Sequence, residues 1–537
     1  MMKRFDNQQL VWLQRRLTSG KITRREFMGR SLALGVTTAL ATTLASQAVK
    51  AATPKKGGRM KLAMGHGSTS DTYDPAIIEN GFQWVLAYAI SNTLVELAPD
   101  GKLVPSLAES WEASDDATQW TFELRKGVEF HDGRSLTAKD VVASFNYHRA
   151  EDSKSTVKPL VAPIQEIKVD DDHTLVFSLA GGNADFPFNL NEAPLAIFPA
   201  ADDGSLDWKG GIGSGGYKLK SYEPGVRADF ERNPNYWKEG AAHVDEVELL
   251  TIADAAARSN ALVTGEVHAI DQVDLKTADL LARRKGIVVE ESTGPLHYVY
   301  PMRTSLAPFD NVHVRQALKF AIDREELVQK ILRGHGTIGN DTPIGPTYRY
   351  YAADLEQNSY DPDKAKFHLK EAGLSELTLD LSAADAAYAG AVDAAVLYKE
   401  TAAKAGININ VVREPNDGYW SNVWMKKPWC ASYWGGYSTE DTMFSTGYAP
   451  GAAWNDSDWD HEAFNKLMVE ARAELDEGKR REMYREMQRI LRDEGGVIVP
   501  MFANAVVARN EAITHGEHVS AVRPFDGRRI IERWWLA

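Results

Sequence analysis

Polar and apolar side chains alternate in several separated stretches, the period expected of a strand with one buried face. These are Arg59–Met64, Trp120–Arg125, His173–Leu179 and Tyr217–Lys220. Between and after them the period changes to that of helices. Thr137 opens one helix as its N-cap, and 312–332 reads as a helix pair. Asp361 caps a helix with Pro362 in its first turn and Gly373 at its stop. Leu377–Leu381 and Ile407–Val412 read as strands on either side of a helix from Tyr388 to Ala405, which Gly406 ends. The charged segment 460–493 reads as two amphipathic helices. Strands and helices mixed in this way predict α/β lobes.

The first 51 residues follow another pattern. They hold nine Lys or Arg and two acids, then a mild apolar stretch from Leu32 to Ala48 and small residues near Ala51. That order is the order of an export signal. Arg24-Arg25-Glu26-Phe27 resembles the twin-arginine motif, with Met28 and Gly29 where Leu and Lys are usual. It predicts export of a folded chain to the periplasm. The single cysteine, Cys430, lies far from the cleavage region, which argues against a lipid anchor and excludes an internal disulfide. With the signal removed, the 537-residue chain keeps 52 basic and 73 acidic residues, a net charge of −21 against −14 for the whole. An acidic balance of that size argues against a nucleic-acid partner.

Catalytic signatures are absent. Gly211 to Gly216 matches G-x-G-x-x-G, but it is followed by a strand pattern rather than a helix, so a tight loop is the better reading. His515 and His518 form the nearest histidine pair; with no cysteine beside them they read as surface residues, and no metal or cofactor is expected. Aromatic density is the more informative signal. Between Tyr419 and Trp459 the chain carries six Trp, four Tyr and one Phe interleaved with Gly and polar residues. Large amphipathic rings suit a cleft wall with one wet side, or else a Trp-rich core.

Several blocks then resemble the family 5 solute-binding proteins of ABC importers, the dipeptide/oligopeptide-binding class. They are LAESWE at 107–112, WTFELRKGVEFHDG at 120–133, LTAKDVVASF at 136–145, GSGGY at 213–217, RNPNYW at 232–237, and VRQAL with AIDR at 314–324. The resemblance implies a periplasmic-binding-protein-like α/β fold, a large three-lobed, two-domain clamp closing by hinge motion. Lobe I would comprise 57–75, 195–295 and 500–537, lobe II 76–194 and lobe III 296–499, with the solute between lobes I and III. It also implies a monomer that delivers its solute to membrane permease and ATPase subunits, and no enzymatic activity.

The solute is less well defined. Trp434-Gly435-Gly436 matches the family's W-x-[GA] element, yet Tyr437 stands where peptide binders carry an ammonium-binding Asp. Glu440 or Asp441 would then substitute, with Trp434, Gly436, Tyr437, Trp454 and Asn455 completing that wall. The resemblance also implies backbone-contacting residues shortly after the Asp74-Pro75 turn, by position Glu79, Asn80 and Gly81. Peptides are the family default. A sugar or opine-like conjugate, a metal chelate or haem are alternatives, as is a hydrolase using Glu440 and Asp441 as acid and base.

Overall fold

The structure is a computed structural model that describes residues 54–537 together with Phe27 and Arg30. Apart from these two residues the expected signal, including the twin arginines, lies outside the described residues.

One large mixed sheet organises the molecule. Its strands run, in spatial order, Ser432–Trp434, Ile287–Pro301, Val497–Asn510, Ala269–Ile270, Arg59–Met64, Glu246–Thr251, Arg227–Arg232 and Tyr217–Glu223, with Gly336–Ile338 added against Val497–Asn510. The two long strands cross between hydrophobic cores. The first core gathers Met60, Leu62, Phe82, Leu249 and Trp534. The third body is built on Tyr300, Tyr398 and Trp429 and on Phe444, Tyr484 and Val499. Burial of this many large apolar side chains on each side, at roughly 25 cal/mol per Å2, makes each end a separately stabilised unit.

Pairing along the crossing strands is broken at the boundary. Thr293 pairs with Asn504 but the next pair is His297 with Phe502, so four steps on one strand oppose two on the other. A second shift separates the Tyr298–Met501 and Tyr300–Ile498 pairs. Such bulges interrupt the ladder and locally bend a strand.

The second body is a four-stranded antiparallel sheet in the order Ala108–Ala113, Gln119–Leu124, Thr174–Leu179, Ile164–Asp171. The helix Ala138–Arg149 supplies Val141 and Phe145 to the same core as Phe122 and Phe177. Asp140 starts it by accepting the Thr137 backbone N–H at 2.7 Å. Helix Gly81–Ile90 falls inside the expected 76–194 segment, yet its Phe82, Val85 and Leu86 pack in the first core beside Met60. Its mostly apolar sequence buries nearly every residue, a pattern that no one-sided period reveals.

The glycine run at 211–216 is a close approach and not a cradle. A Cβ at Gly213 or Gly215 would lie 2.1 or 2.4 Å from the carbonyls of Ile90 and Ala89. Strand Tyr217–Glu223 follows directly.

Candidate functional site

Where the long strands break, three chain segments meet. Strand Ser432–Trp434 pairs with Val299–His297 at the sheet edge and then releases the loop 435–439. Gly436 sits at φ +79°, and a Cβ there would lie 2.2 Å from Cβ of Pro295 in the broken segment, so only glycine fits without displacement. The Tyr437 backbone N–H donates to Tyr348 Oη at 3.0 Å. Ser438 Oγ donates to Glu192 Oε1 at 3.2 Å, tying the loop to the second body. Glu192 in turn accepts from Arg523 Nη2 at 3.1 Å, and the Arg523 guanidinium lies 3.9 Å from the ring centroid of Trp84. Trp84 stands one turn along the helix whose N-terminus carries Glu79, Asn80 and Gly81. A Trp84–Arg523–Glu192–Ser438 chain that the sequence pattern does not mark thus links the loop after Trp434 to the helix that Asn80 caps. Its members come from four distant segments, and none sits in a recognisable motif.

Individual side chains differ in what they can offer a solute. Glu79 is exposed, and its carboxylate has no ion-pair partner among the described residues. Asn80 is committed to its own helix: Oδ1 accepts from Phe82 N and Gln83 N, while Nδ2 donates to Asp71. Gly81 leaves room for the buried Arg528 guanidinium, whose Cζ would stand 2.6 Å from a Cβ there. Arg528 donates to the fully buried Asp271, which also accepts from Gly65 N at 2.8 Å.

The acids of the aromatic loop are also committed. Glu440 is buried and accepts the Tyr350 backbone N–H at 2.5 Å, and burial pushes its carboxyl up to about 7. Asp441 is buried and accepts from Arg472 Nε at 3.0 Å on both oxygens and from Ser445 Oγ at 3.4 Å; burial raises its carboxyl while Arg472 opposes the rise. These are the two acids expected to hold an ammonium or to act as an acid–base pair. Each side chain already serves a partner inside the third body. Asn455 is held in the same way. Its Nδ2 donates to Ala449 O and Trp459 O and its Oδ1 accepts from Ser457, so it fastens its own loop.

The aromatic run divides by burial. Tyr419, Trp429, Phe444, Tyr448 and Trp459 are core residues, and Trp434 is only 5% exposed. Trp420, Tyr433 and Trp454 are 41, 43 and 50% exposed and form an edge-to-face group with Trp424 between. Trp434 reaches Trp454 with ring centroids 6.2 Å apart. Beneath them Asp456 is buried, accepts Trp424 Nε1–H at 3.0 Å and is pushed up to about 7 by burial. The wet aromatic wall is thus Trp420, Tyr433 and Trp454, and Trp434 is its packed base. Among the described residues no group of three or more His, Cys, Asp or Glu is placed to hold a metal ion.

Comparison with known proteins identifies the family. The family model for bacterial extracellular solute-binding proteins, family 5 (middle region), matches residues 102–456. The chain belongs to that family. The dipeptide-binding protein of Escherichia coli (strain K12) is 28% identical over 470 residues, spanning 80% of this chain and 86% of that one. Heme-binding protein A of Haemophilus influenzae is 31% identical over 333 residues, 56% of this chain and 60% of that one. Among solved structures, the ABC transporter-associated periplasmic binding protein DppA from Helicobacter pylori in complex with peptide STSA superposes with a TM-score of 0.73 at 25% identity, covering 90% of this chain and 98% of that one. The α/β fold of this family member is that of periplasmic binding proteins, consistent with a two-domain clamp. The relatives are substrate-binding proteins and not enzymes. Among the described residues no helix is long and apolar enough to cross a membrane.

Proposed function

We propose that this family member is the periplasmic solute-binding component of an ABC importer, and that it encloses a peptide or similar polar organic solute between its first and third bodies. The observation that carries the reading is the coincidence of three features at one place. The strands joining the two bodies are broken at Thr293–His297, Gly436 packs on Pro295 in that break, and Tyr433 of the exposed aromatic group stands on the strand alongside. A solute that touches both faces would favour the closed arrangement through its better affinity for it. Permease and ATPase subunits would read that closed form, and no turnover of the solute is involved. The three lobes fall near 57–75 with 195–295 and 500–537, near 76–194, and near 296–499, helix Gly81–Ile90 siding with the first.

Titration of the mature protein with di- and tripeptides in a calorimeter tests the reading: saturable one-to-one binding supports it, and failure of every peptide to bind defeats the peptide assignment. Haem is a second reading, favoured by the 31% identity to Heme-binding protein A. A Soret band on haem titration would select it. Export by the twin-arginine route is part of the proposal, and Arg24→Lys with Arg25→Lys should abolish periplasmic accumulation.

A further inference from the structure

Away from the strand crossing, the third body carries a pair of imidazoles that the solute site does not use. His313 lies in the first turn of helix Val312–Phe320 and His368 near the end of helix Pro362–Glu371. Their Nδ1 atoms stand 3.1 Å apart. The pair opens into a cavity of about 360 Å3 whose polar lining includes the acids Glu356 and Asp493, the cations Lys364 and Arg492, and Gln316. His368 is held in place by stacking on Phe320, with centroids 5.7 Å apart and planes 2° from parallel.

We propose that His313 and His368 chelate one divalent transition-metal ion, with Zn2+ as the reference case. Zinc sits ~2.0–2.1 Å from imidazole nitrogen, so two such ligands in adjacent positions place their nitrogens roughly 2.9–3.4 Å apart. The observed separation falls within that span. Without a metal the same contact requires one ring to carry its proton on Nδ1 and the other to accept it. Two imidazoles leave at least two positions of a tetrahedral ion open toward the cavity. Asp493 is taken up by Arg489 and Arg492, so water or a small oxygen or nitrogen ligand completes the shell. Bridging two helices, the ion would pin Val312–Phe320 to Pro362–Glu371.

Calorimetric titration of the chelator-treated mature protein with zinc sulfate at about pH 7.5 tests the assignment. One ion per chain is expected, with affinity lowered more than ~10-fold in His313→Ala and in His368→Ala, since even outer-shell partners of a metal carry that much. His515→Ala, which removes the other histidine pair, should leave the titration unchanged. No zinc uptake by the folded wild type, or uptake that survives both single variants or disappears with His515→Ala, overturns the proposal. Circular dichroism of each variant confirms that lost binding is not lost folding.

Discussion

Replacing Asp185 by Ala removes one half of a buried ion pair that joins the second and third bodies. Asp185 precedes Phe186 of the second core, and Arg480 belongs to helix Glu477–Glu494 of the third body. Arg480 Nη1 and Nη2 donate to the two carboxylate oxygens at 2.9 and 2.7 Å, and the side chains are 1 and 2% exposed. The guanidinium is flanked by the rings of Tyr350 and Tyr484 at 5.2 and 5.5 Å, and its Nε donates to Ala471 O. Arg349, 3.9 Å from Asp185, adds a second positive charge. Bidentate pairs of this kind are charge-assisted and geometrically specific. Taking one partner away strands a charge with little water access, which costs about 3–5 kcal/mol. Replacing both partners by apolar groups removes the stranded charge, so Asp185→Leu with Arg480→Met should recover most of that loss. Urea unfolding followed by tryptophan fluorescence measures both. If Asp185→Ala shifts stability by less than ~1 kcal/mol, the pair behaves as a surface bridge and the reasoning fails.

Glu440→Gln probes the buried carboxyl. Its folded pKa of about 7 lies above its ordinary 4.5, so the native state holds a proton that the unfolded state gives up between those values. Its stabilising contribution is present below about 4.5 and lost as pH rises through about 7. The variant should match wild type near pH 4 and gain about 2–4 kcal/mol by pH 8, read from unfolding midpoints; a gap independent of pH contradicts this. Gly436→Ala forces a Cβ into Pro295 at positive φ and should destabilise the loop by more than ~1 kcal/mol and weaken solute binding, measured by calorimetry. Trp454→Ala should weaken solute binding by more than ~1 kcal/mol with an unchanged melting temperature, because half of its surface is exposed. Trp434→Ala should instead lower the melting temperature, and equal melting of both variants would refute the division of the aromatic wall.

Local chemistry made much of the secondary structure readable. The two helices within 460–493, the helix from Pro362 and the parallel strands Leu377–Ala383 and Ile407–Arg413 follow from caps, stops and periodicity. The crossing strands were not readable, because Ile287–Pro301 is half-buried on both faces over much of its length and so lacks a clean alternation. For the site, residue type does not show which polar side chains carry a structural task. Asn80, Glu440, Asp441 and Asn455 are spent on caps, loops and buried pairs, and only the surrounding fold reveals that. Arg523, Glu192 and Trp84 meet through tertiary approach alone, which no spacing in the chain records.

The central claim is that the molecule closes on a solute without transforming it. Native mass spectrometry of the mature protein purified from a periplasmic extract, and again after incubation with a dipeptide mixture, tests this most directly. The account predicts one small polar organic solute per chain, released intact on unfolding and exchanged for added peptide. A chain that stays unloaded throughout, or one that releases an altered solute, would contradict it.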